Sequence, residues 1–385
     1  MDLFNSVLNW VVPPASLVML AFAWPTLCFL NACEWLYKSF NSENMEDKVV
    51  IITGASSGIG EQISYEYAKR GANLVLVARR ESRLRVISEN ATFMGARHVT
   101  VIAADVVKED ECRRFVNETI NIYGRVDHLV NTASLGHTFY FEEATDTSVF
   151  PHLLDINFWG NIYPTFVALP YLHQSNGRVI VNASVENWLP LPRMSLYAAA
   201  KAALVNFYET LRFEVKDDIG VTIATHGWIG SEMTGGKFML EEGAEMQWKE
   251  EREGKPVVES LNFIQSLWGM FCTVHVSGGS MEEYARLIVS GACKGESYVK
   301  FPSWYDIFLL YRFFAPNVLN WTLRILLSSH GARKTSLVGT GRPLQLEYSA
   351  KPLIEGTPPR KQLLASPTHY SQFSTPQQQQ QLKWE

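Results

Sequence analysis

Residues 49–60 read Val-Val-Ile-Ile-Thr-Gly-Ala-Ser-Ser-Gly-Ile-Gly. Four β-branched residues in succession suit a strand buried on both faces, where no polar side chain has to alternate outward. The run passes directly into a stretch carrying Gly54, Gly58 and Gly60. Glycines at a strand-to-helix junction allow a tight turn and close backbone approach, so the N–H groups that open the helix can face a pyrophosphate. Gly54, Ser56, Ser57, Gly58, Ile59 and Gly60 are therefore candidate phosphate-binding residues. A glycine cluster alone also serves purely structural turns.

Further runs of the same kind follow: Leu74 to Val77, Val99 to Ile102, Val126 to Val130, Val179 to Val181 and Val221 to Ile223. The intervals are long enough for crossover helices. Repeated βα units predict an α/β fold, a doubly wound Rossmann-type parallel sheet covered by helices on both faces, across residues 46–300. After the second run, a site for NAD would place an acidic residue on the ribose 2′-hydroxyl. The chain has Ala78-Arg79-Arg80 instead. Two guanidiniums can pair with a 2′-phosphate, which favours NADP(H); the alternative is a pair of solvated arginines opening a helix.

Tyr197-Ala198-Ala199-Ala200-Lys201 puts a phenol and an ammonium on one face of a helix. A tyrosine is a poor proton donor–acceptor near neutrality, and a nearby ammonium lowers its pKa, which suits acid–base work at a carbonyl or alcohol. Alone, a Tyr-xxx-Lys spacing usually marks a helix surface. Ser184 lies 13 residues earlier, just past the fifth apolar run, where its hydroxyl can hold a substrate oxygen.

Together these motifs resemble the short-chain dehydrogenase/reductase superfamily over residues 46–300. The resemblance implies Tyr197 as acid/base, Ser184 orienting the substrate carbonyl, and Lys201 binding the nicotinamide ribose and depressing the tyrosine pKa. It implies that Asn157 completes a proton relay through water. Asp105 and Val106 would border the adenine, and Asn131 would belong to the cofactor site. An apolar N-terminal segment with spaced prolines, the stretch Gly236-Lys237-Phe238, and Tyr298 to Trp304 are further similar to the plant steroleosins, hydroxysteroid dehydrogenases of the 11-β type on seed oil bodies. That likeness implies NADP-linked interconversion of a steroid or sterol hydroxyl and ketone at the endoplasmic reticulum or lipid droplets.

The chain departs from the superfamily pattern in two places. Asn131-Thr132-Ala133-Ser134 stands where Asn-Asn-Ala-Gly is usual, and Ser134 adds a side chain where glycine allows close approach. His226-Gly227 replaces Pro-Gly, with His226 expected as a hydrogen-bonded structural residue more than a catalytic one. His137 and Tyr140 are candidates for the substrate mouth. Residues 228–275 are expected to hold a substrate lid, with Met233, Phe238, Met239 and Trp248 suited to a flat apolar ligand.

Residues 3–33 contain no Asp, Glu, Lys, Arg or His. A single helix of that length would measure about 46 Å, against about 30 Å of hydrocarbon. Pro13, Pro14 and Pro25 divide it, which predicts either a hairpin that dips into the bilayer and returns or a tilted, kinked spanning helix. Lys38 and Lys48 follow with no basic residue before the segment, favouring a cytosolic body. The expected organisation is an anchor at 1–45, the catalytic domain at 46–300, an apolar extension at 301–349 and a disordered tail at 350–385 ending in the Gln377–Gln381 run. Segments 261–274 and 304–327 are rich in Trp, Phe and Leu and fit membrane, core or dimer contacts.

With 34 basic against 39 acidic residues and a net charge of −5, nothing suggests a nucleic-acid partner. Five cysteines at 28, 33, 112, 272 and 293 lack CxxC spacing and read as free thiols, with no metal site. The reading reached is a membrane- or droplet-anchored oxidoreductase of a lipophilic carbonyl, with a homodimer possible. Its alternatives are a lipid-droplet coat protein with a vestigial reductase fold and a reductase of a retinoid or ketoacyl carbonyl.

Overall fold

The computed structural model describes residues 2–40, 42–136, 149–191, 194–215, 218–227 and 280–328, with positions 141, 144 and 147 and two short strands between 227 and 280. Helix α1 (Asp2–Phe40) precedes an alternating series: β1 (Val49–Thr53), α2 (Gly58–Ala68), β2 (Asn73–Ala78), α3 (Glu81–Phe93), β3 (His98–Ala103), α4 (Glu109–Tyr123) and β4 (His128–Asn131). The series continues with α5 (Val149–Leu154), a π-helical turn (Asp155–Trp159), α6 (Gly160–Ser175), β5 (Arg178–Ser184), a 3₁₀ turn (Val185–Asn187), α7 (Ser195–Glu214) and β6 (Gly220–His226). An antiparallel pair, β7 (Lys237–Phe238) and β8 (Gln247–Trp248), precedes α8 (Met281–Cys293), β9 (Tyr298–Phe301), α9 (Asp306–Phe314) and α10 (Pro316–Ser328).

The main sheet runs β3-β2-β1-β4-β5-β6-β9, parallel throughout. Alternate side chains of one strand feed opposite cores. Val50 and Ile52 of β1 pack with Ile63 and Tyr67 of α2, Leu84 and Ile87 of α3 and Tyr284 and Ile288 of α8. Val49 and Ile51 face Phe115 of α4, Leu172 of α6 and Leu204 and Tyr208 of α7. This double burial is why the strands read as continuous apolar runs. The strand order reverses between β1 and β4, and that switch point opens a crevice at the carboxyl ends of the strands, where ligands bind in sheets of this kind.

Two strands differ from the sequence reading, and α1 shows one of the two forms expected of its segment. Strand β4 begins at His128 and not at Val126. The intervening Asp127 carboxylate accepts the Val49 N–H at 2.9 Å and pairs with Arg125 and Lys48, so the chain before His128 serves as a cap on the sheet's lower edge. Strand β9 was not among the apolar runs because only Val299 of its four residues is buried. Helix α1 is continuous through Pro13, Pro14 and Pro25, with no hairpin reversal. Each proline removes one helical hydrogen bond, whereas a reversal inside hydrocarbon would strip partners from several backbone groups at once. Residues Val7–Lys38 of α1 are long and apolar enough to cross a membrane.

In the extension, Tyr305 is buried against Val185 and Leu189, while Ile307, Leu310, Phe313, Phe314 and Trp321 are exposed. The chain divides into units 1–333 and 334–385. The second unit, the expected tail, His137, Tyr140, segment 261–274 and all of the expected lid except the β7–β8 backbone lie outside the described residues.

Candidate active site

The turn from β1 into α2 is shaped by its neighbours. Gly54 has φ +67°, and a Cβ there would sit 2.7 Å from the Ala133 nitrogen. A Cβ on Gly60 would lie 2.4 Å from the Gly54 oxygen and 2.6 Å from Thr132 Oγ1. These two glycines let the turn press against the loop after β4. Thr132 fastens the same contact by donating to the Thr53 carbonyl at 2.6 Å, which accounts for a threonine at that departure. Gly58 differs: its φ is +60° and a Cβ would meet nothing within 4 Å. Its bare backbone faces open space at the mouth of the crevice.

Arg80 Nη2 donates to Ser56 Oγ at 3.0 Å and Ser57 Oγ at 2.8 Å, bracing the turn. Arg79 is exposed and has no partner among the described residues. Asp105 turns inward on its own loop: its N–H donates to Glu111 and its carboxylate accepts the Val107 N–H. Val106 is buried, touching the face of Gly160. Asn131 is fully buried, and its amide donates to Asn161 O, Thr165 Oγ1 and Tyr208 Oη. Its side chain ties β4 to α6 and α7, so any ligand contact at Asn131 must come from its backbone.

Asn157 sits in the π-helical turn before α6, a local widening common at functional positions. Its Oδ1 accepts from Ser134 Oγ at 2.7 Å and Leu135 N at 3.1 Å, and its Nδ2 donates to the carbonyls of Leu135 and Leu153. Ser134 also lies beside the Tyr197 phenol and lowers its pKa. The serine at this departure thus stands between Asn157 and Tyr197.

Ser184 ends β5, and Tyr197 and Lys201 project from the first turns of α7; all three are buried. Ser134 and Ser184 both lie close enough to the Tyr197 phenol to pull its pKa down. The Lys201 ammonium lies 5.5 Å from the Tyr197 ring centroid and donates to Asn182 O at 3.0 Å. No other hydrogen-bond acceptor for Lys201 is present among the described residues. An ammonium has three donors. Two buried donors beside a phenol, together with the open Gly58 backbone, are a set that fits the ribose hydroxyls and phosphates of a nicotinamide dinucleotide.

The electrostatics depart from the sequence reading. Burial drives the Tyr197 pKa above its ordinary value and the Glu186 charge adds to the rise, with the Ser134 and Ser184 hydrogen bonds pulling the other way. Burial also lowers Lys201 to about 7, opposed by Glu186. The phenol therefore keeps its proton near neutrality, where the sequence alone suggested depression by the ammonium. His226 is buried and brought to about 4 by burial, its Nδ1 lies 2.9 Å from Gly227 O, and its ring meets Tyr284 edge-on. It is a neutral packing residue.

Sequence reasoning missed Glu186. It lies in the 3₁₀ turn after β5, buried, and its Oε2 accepts the Ser184 hydroxyl. The available signal was a carboxylate set among Val185, Trp188 and Leu189 two residues past the candidate serine.

The short chain dehydrogenase family model matches residues 48–241, which span the sheet from β1 past β6 and contain this site. The chain belongs to the short-chain dehydrogenase family. It is thus an oxidoreductase. It is 71% identical over 365 residues to a Sesamum indicum protein named 11-beta-hydroxysteroid dehydrogenase B, covering 94% of this chain and 95% of that one. An Arachis hypogaea protein of the same name is 72% identical over 366 residues, covering 95% and 97%. The Arabidopsis thaliana 11-beta-hydroxysteroid dehydrogenase-like 5 is 68% identical over 363 residues, covering 93% and 88%. Among solved structures, an alcohol dehydrogenase from Thermococcus sibiricus complexed with 5-hydroxy-NADP shares the fold at a TM-score of 0.52 and 23% identity, over 66% of this chain and 95% of that one. A short-chain dehydrogenase from Burkholderia phymatum in complex with NAD gives 0.55 at 20% identity, over 69% and 96%. The fold therefore has neighbours holding either form of the dinucleotide.

Proposed function

We propose that this oxidoreductase interconverts a hydroxyl and a ketone on a steroid-like substrate with NADP(H), and that α1 holds it at the endoplasmic reticulum membrane or a lipid droplet. The observation that carries the reading is the buried group of Ser184, Tyr197 and Lys201 at the carboxyl ends of the strands. The 11-beta-hydroxysteroid dehydrogenase names of the most similar relatives support the substrate class. In the site, Tyr197 is the acid/base. Its raised pKa keeps a proton ready for a carbonyl oxygen, and the reverse reaction returns that proton to Tyr197. Ser184, beside the same phenol, orients the reacting oxygen. Lys201 holds the ribose hydroxyls with its two free donors. Asn157 fixes the loop at Ser134 and Leu135 and would complete a proton relay through water. The cofactor, when bound, supplies or receives the hydride. Gly54, Gly58 and Gly60, with the Ser56, Ser57 and Ile59 backbone, cradle the pyrophosphate. Asp105, Val106 and Asn131 border the adenine and ribose.

Thr132 and Ser134, where the chain departs from the superfamily pattern, both carry hydrogen bonds that serve this arrangement. The test is Tyr197→Phe in the full-length protein. Turnover of hydroxysteroids and ketosteroids should fall by at least ~100-fold while NADPH affinity, read by fluorescence, is retained. Undiminished turnover would sink the assignment.

A further inference from the structure

The hydroxyl of Ser184 has one proton and two lone pairs, and three groups of the protein compete for them. Glu186 accepts the proton at close range, the His226 carbonyl is a second acceptor at 3.4 Å, and the Tyr197 phenol stands close enough to feel the hydroxyl. A ketone oxygen can only accept a hydrogen bond, whereas an alcohol can also donate one. Ser184 engaged as a donor to a carboxylate has no proton left for a ketone, but its lone pairs remain open to an alcohol. If Glu186 carries a proton, its own O–H can donate to Ser184, and the serine proton then turns to the reacting oxygen.

We infer that Glu186 is a positioning residue that sets the donor or acceptor sense of Ser184, so that its ionised form favours the alcohol and its protonated form favours the ketone. The inference rests on the proposed role of Ser184 and Tyr197 in holding the reacting oxygen. The surroundings suit such a switch. Glu186 is buried in the turn packed on α7, where it meets the charge of Lys201 and faces the Tyr197 phenol; from β6 comes the neutral His226. Burial raises the Glu186 pKa, opposed by the Ser184 hydrogen bond, its own backbone N–H and Lys201. Its proton occupancy thus changes above the ordinary carboxylate range of about 4.3.

Two measurements test the inference on the full-length protein. The first compares dissociation constants for cortisol, an 11β-hydroxysteroid, and cortisone, its 11-ketone, across pH. Glu186→Gln cannot ionise, and its amide, unlike the carboxylate, can turn an N–H to Ser184. It should shift the ketone-to-alcohol preference about tenfold toward the ketone, the worth of one hydrogen bond, and remove its pH dependence. An unchanged ratio and profile overturns the inference. The second needs no substrate. Infrared pH titration should show a protonated-carboxyl band above the ordinary range that vanishes in Glu186→Gln and changes frequency in Ser184→Ala. A band that ignores Ser184→Ala, or no such band, also overturns it. Failure of the functional reading shows separately, as a wild-type protein that turns over no steroid pair while the infrared coupling persists.

Discussion

Two adjacent arginines behave differently although the sequence presents them as equals. Arg80 is held across Ser56 and Ser57 and so builds the turn that receives the phosphates. Arg79 is exposed and unpartnered among the described residues, which leaves its five donors for a ligand. A planar guanidinium bonds a phosphate through two parallel N–H groups, and a carboxylate in its place repels the phosphate but accepts from a ribose hydroxyl. Arg79→Asp should therefore lower the preference for NADPH over NADH by on the order of tenfold or more in kcat/KM, the worth of one charge-assisted bond. The same preference in wild type and variant would remove Arg79 from phosphate recognition. Arg80→Ala should instead weaken both dinucleotides together, because it loosens the shared turn. Glu186 shows the opposite limit of legibility at this scale. A carboxylate in an apolar stretch gives no sign in sequence of the hydroxyl it will meet, since that contact depends on the 3₁₀ turn after β5.

At the scale of elements, the sheet is readable because both of its faces are covered, which leaves unbroken apolar strands between amphipathic helices. Legibility fails at one edge. Strand β9 buries one residue of four and offers no continuous apolar run, whereas β3 at the other edge, although mostly half-exposed, is marked by Val99 to Ile102. The β1–α2 turn is readable as a glycine cluster, yet its glycines act for different reasons, and this separates two variants. Gly54→Ala would place a methyl 2.7–2.9 Å from backbone atoms of Ala133 and Thr132 at a φ of +67°. Strain and overlap together should cost roughly 2 kcal/mol or more of stability. Gly58→Ala bears only the positive φ, about 1 kcal/mol, because its Cβ meets open space. That space lies on the proposed phosphate side. Thermal melts should rank Gly54→Ala as much the less stable, while NADPH titration should find Gly58→Ala disproportionately weak in binding. A Gly58→Ala protein that binds NADPH like wild type would move the cradle elsewhere.

For the molecule as a whole, the question is where the helix ends and the enzyme begins. The sequence alone drew that line after residue 45, between the uncharged run that ends at residue 33 and the first strand run at Val49. The structure fastens the chain earlier. Glu43 N–H donates to Cys293 O at 2.8 Å, its carboxylate meets His128 Nε2 and Lys48 at 3.2 Å, and Met45 is buried in the core beside α2. His128 in turn bonds the buried Tyr67 phenol at 2.8 Å. Such a clasp is invisible to hydropathy, since it depends on β4 and α8 arriving from distant parts of the chain. It makes two truncations unequal. A protein starting at residue 42 should leave the membrane fraction yet keep the stability of the full chain. One starting at residue 46 should also be released but lose the Met45 packing, about 2 kcal/mol or more, and leave His128 without its carboxylate. Acidity should separate them further. Burial raises the Glu43 pKa, but the His128 and Lys48 interactions outweigh it and hold the group at about 2 against an ordinary 4.5. Its contribution is complete above about 4.5 and is lost as pH falls toward about 2. Burial holds His128 below its ordinary 6.5, partly opposed by Glu43, so folding also loses stability as pH falls below 6.5 and the unfolded imidazole takes its proton first. Denaturant midpoints measured from neutral pH downward should decline in both proteins through the His128 range, more steeply in the shorter one, which lacks the carboxylate that favours the protonated ring. Below about 4.5 the longer protein alone should show the additional Glu43 loss. Equal midpoints at neutral pH would place the start of the folded body after Met45, where the sequence alone had drawn it.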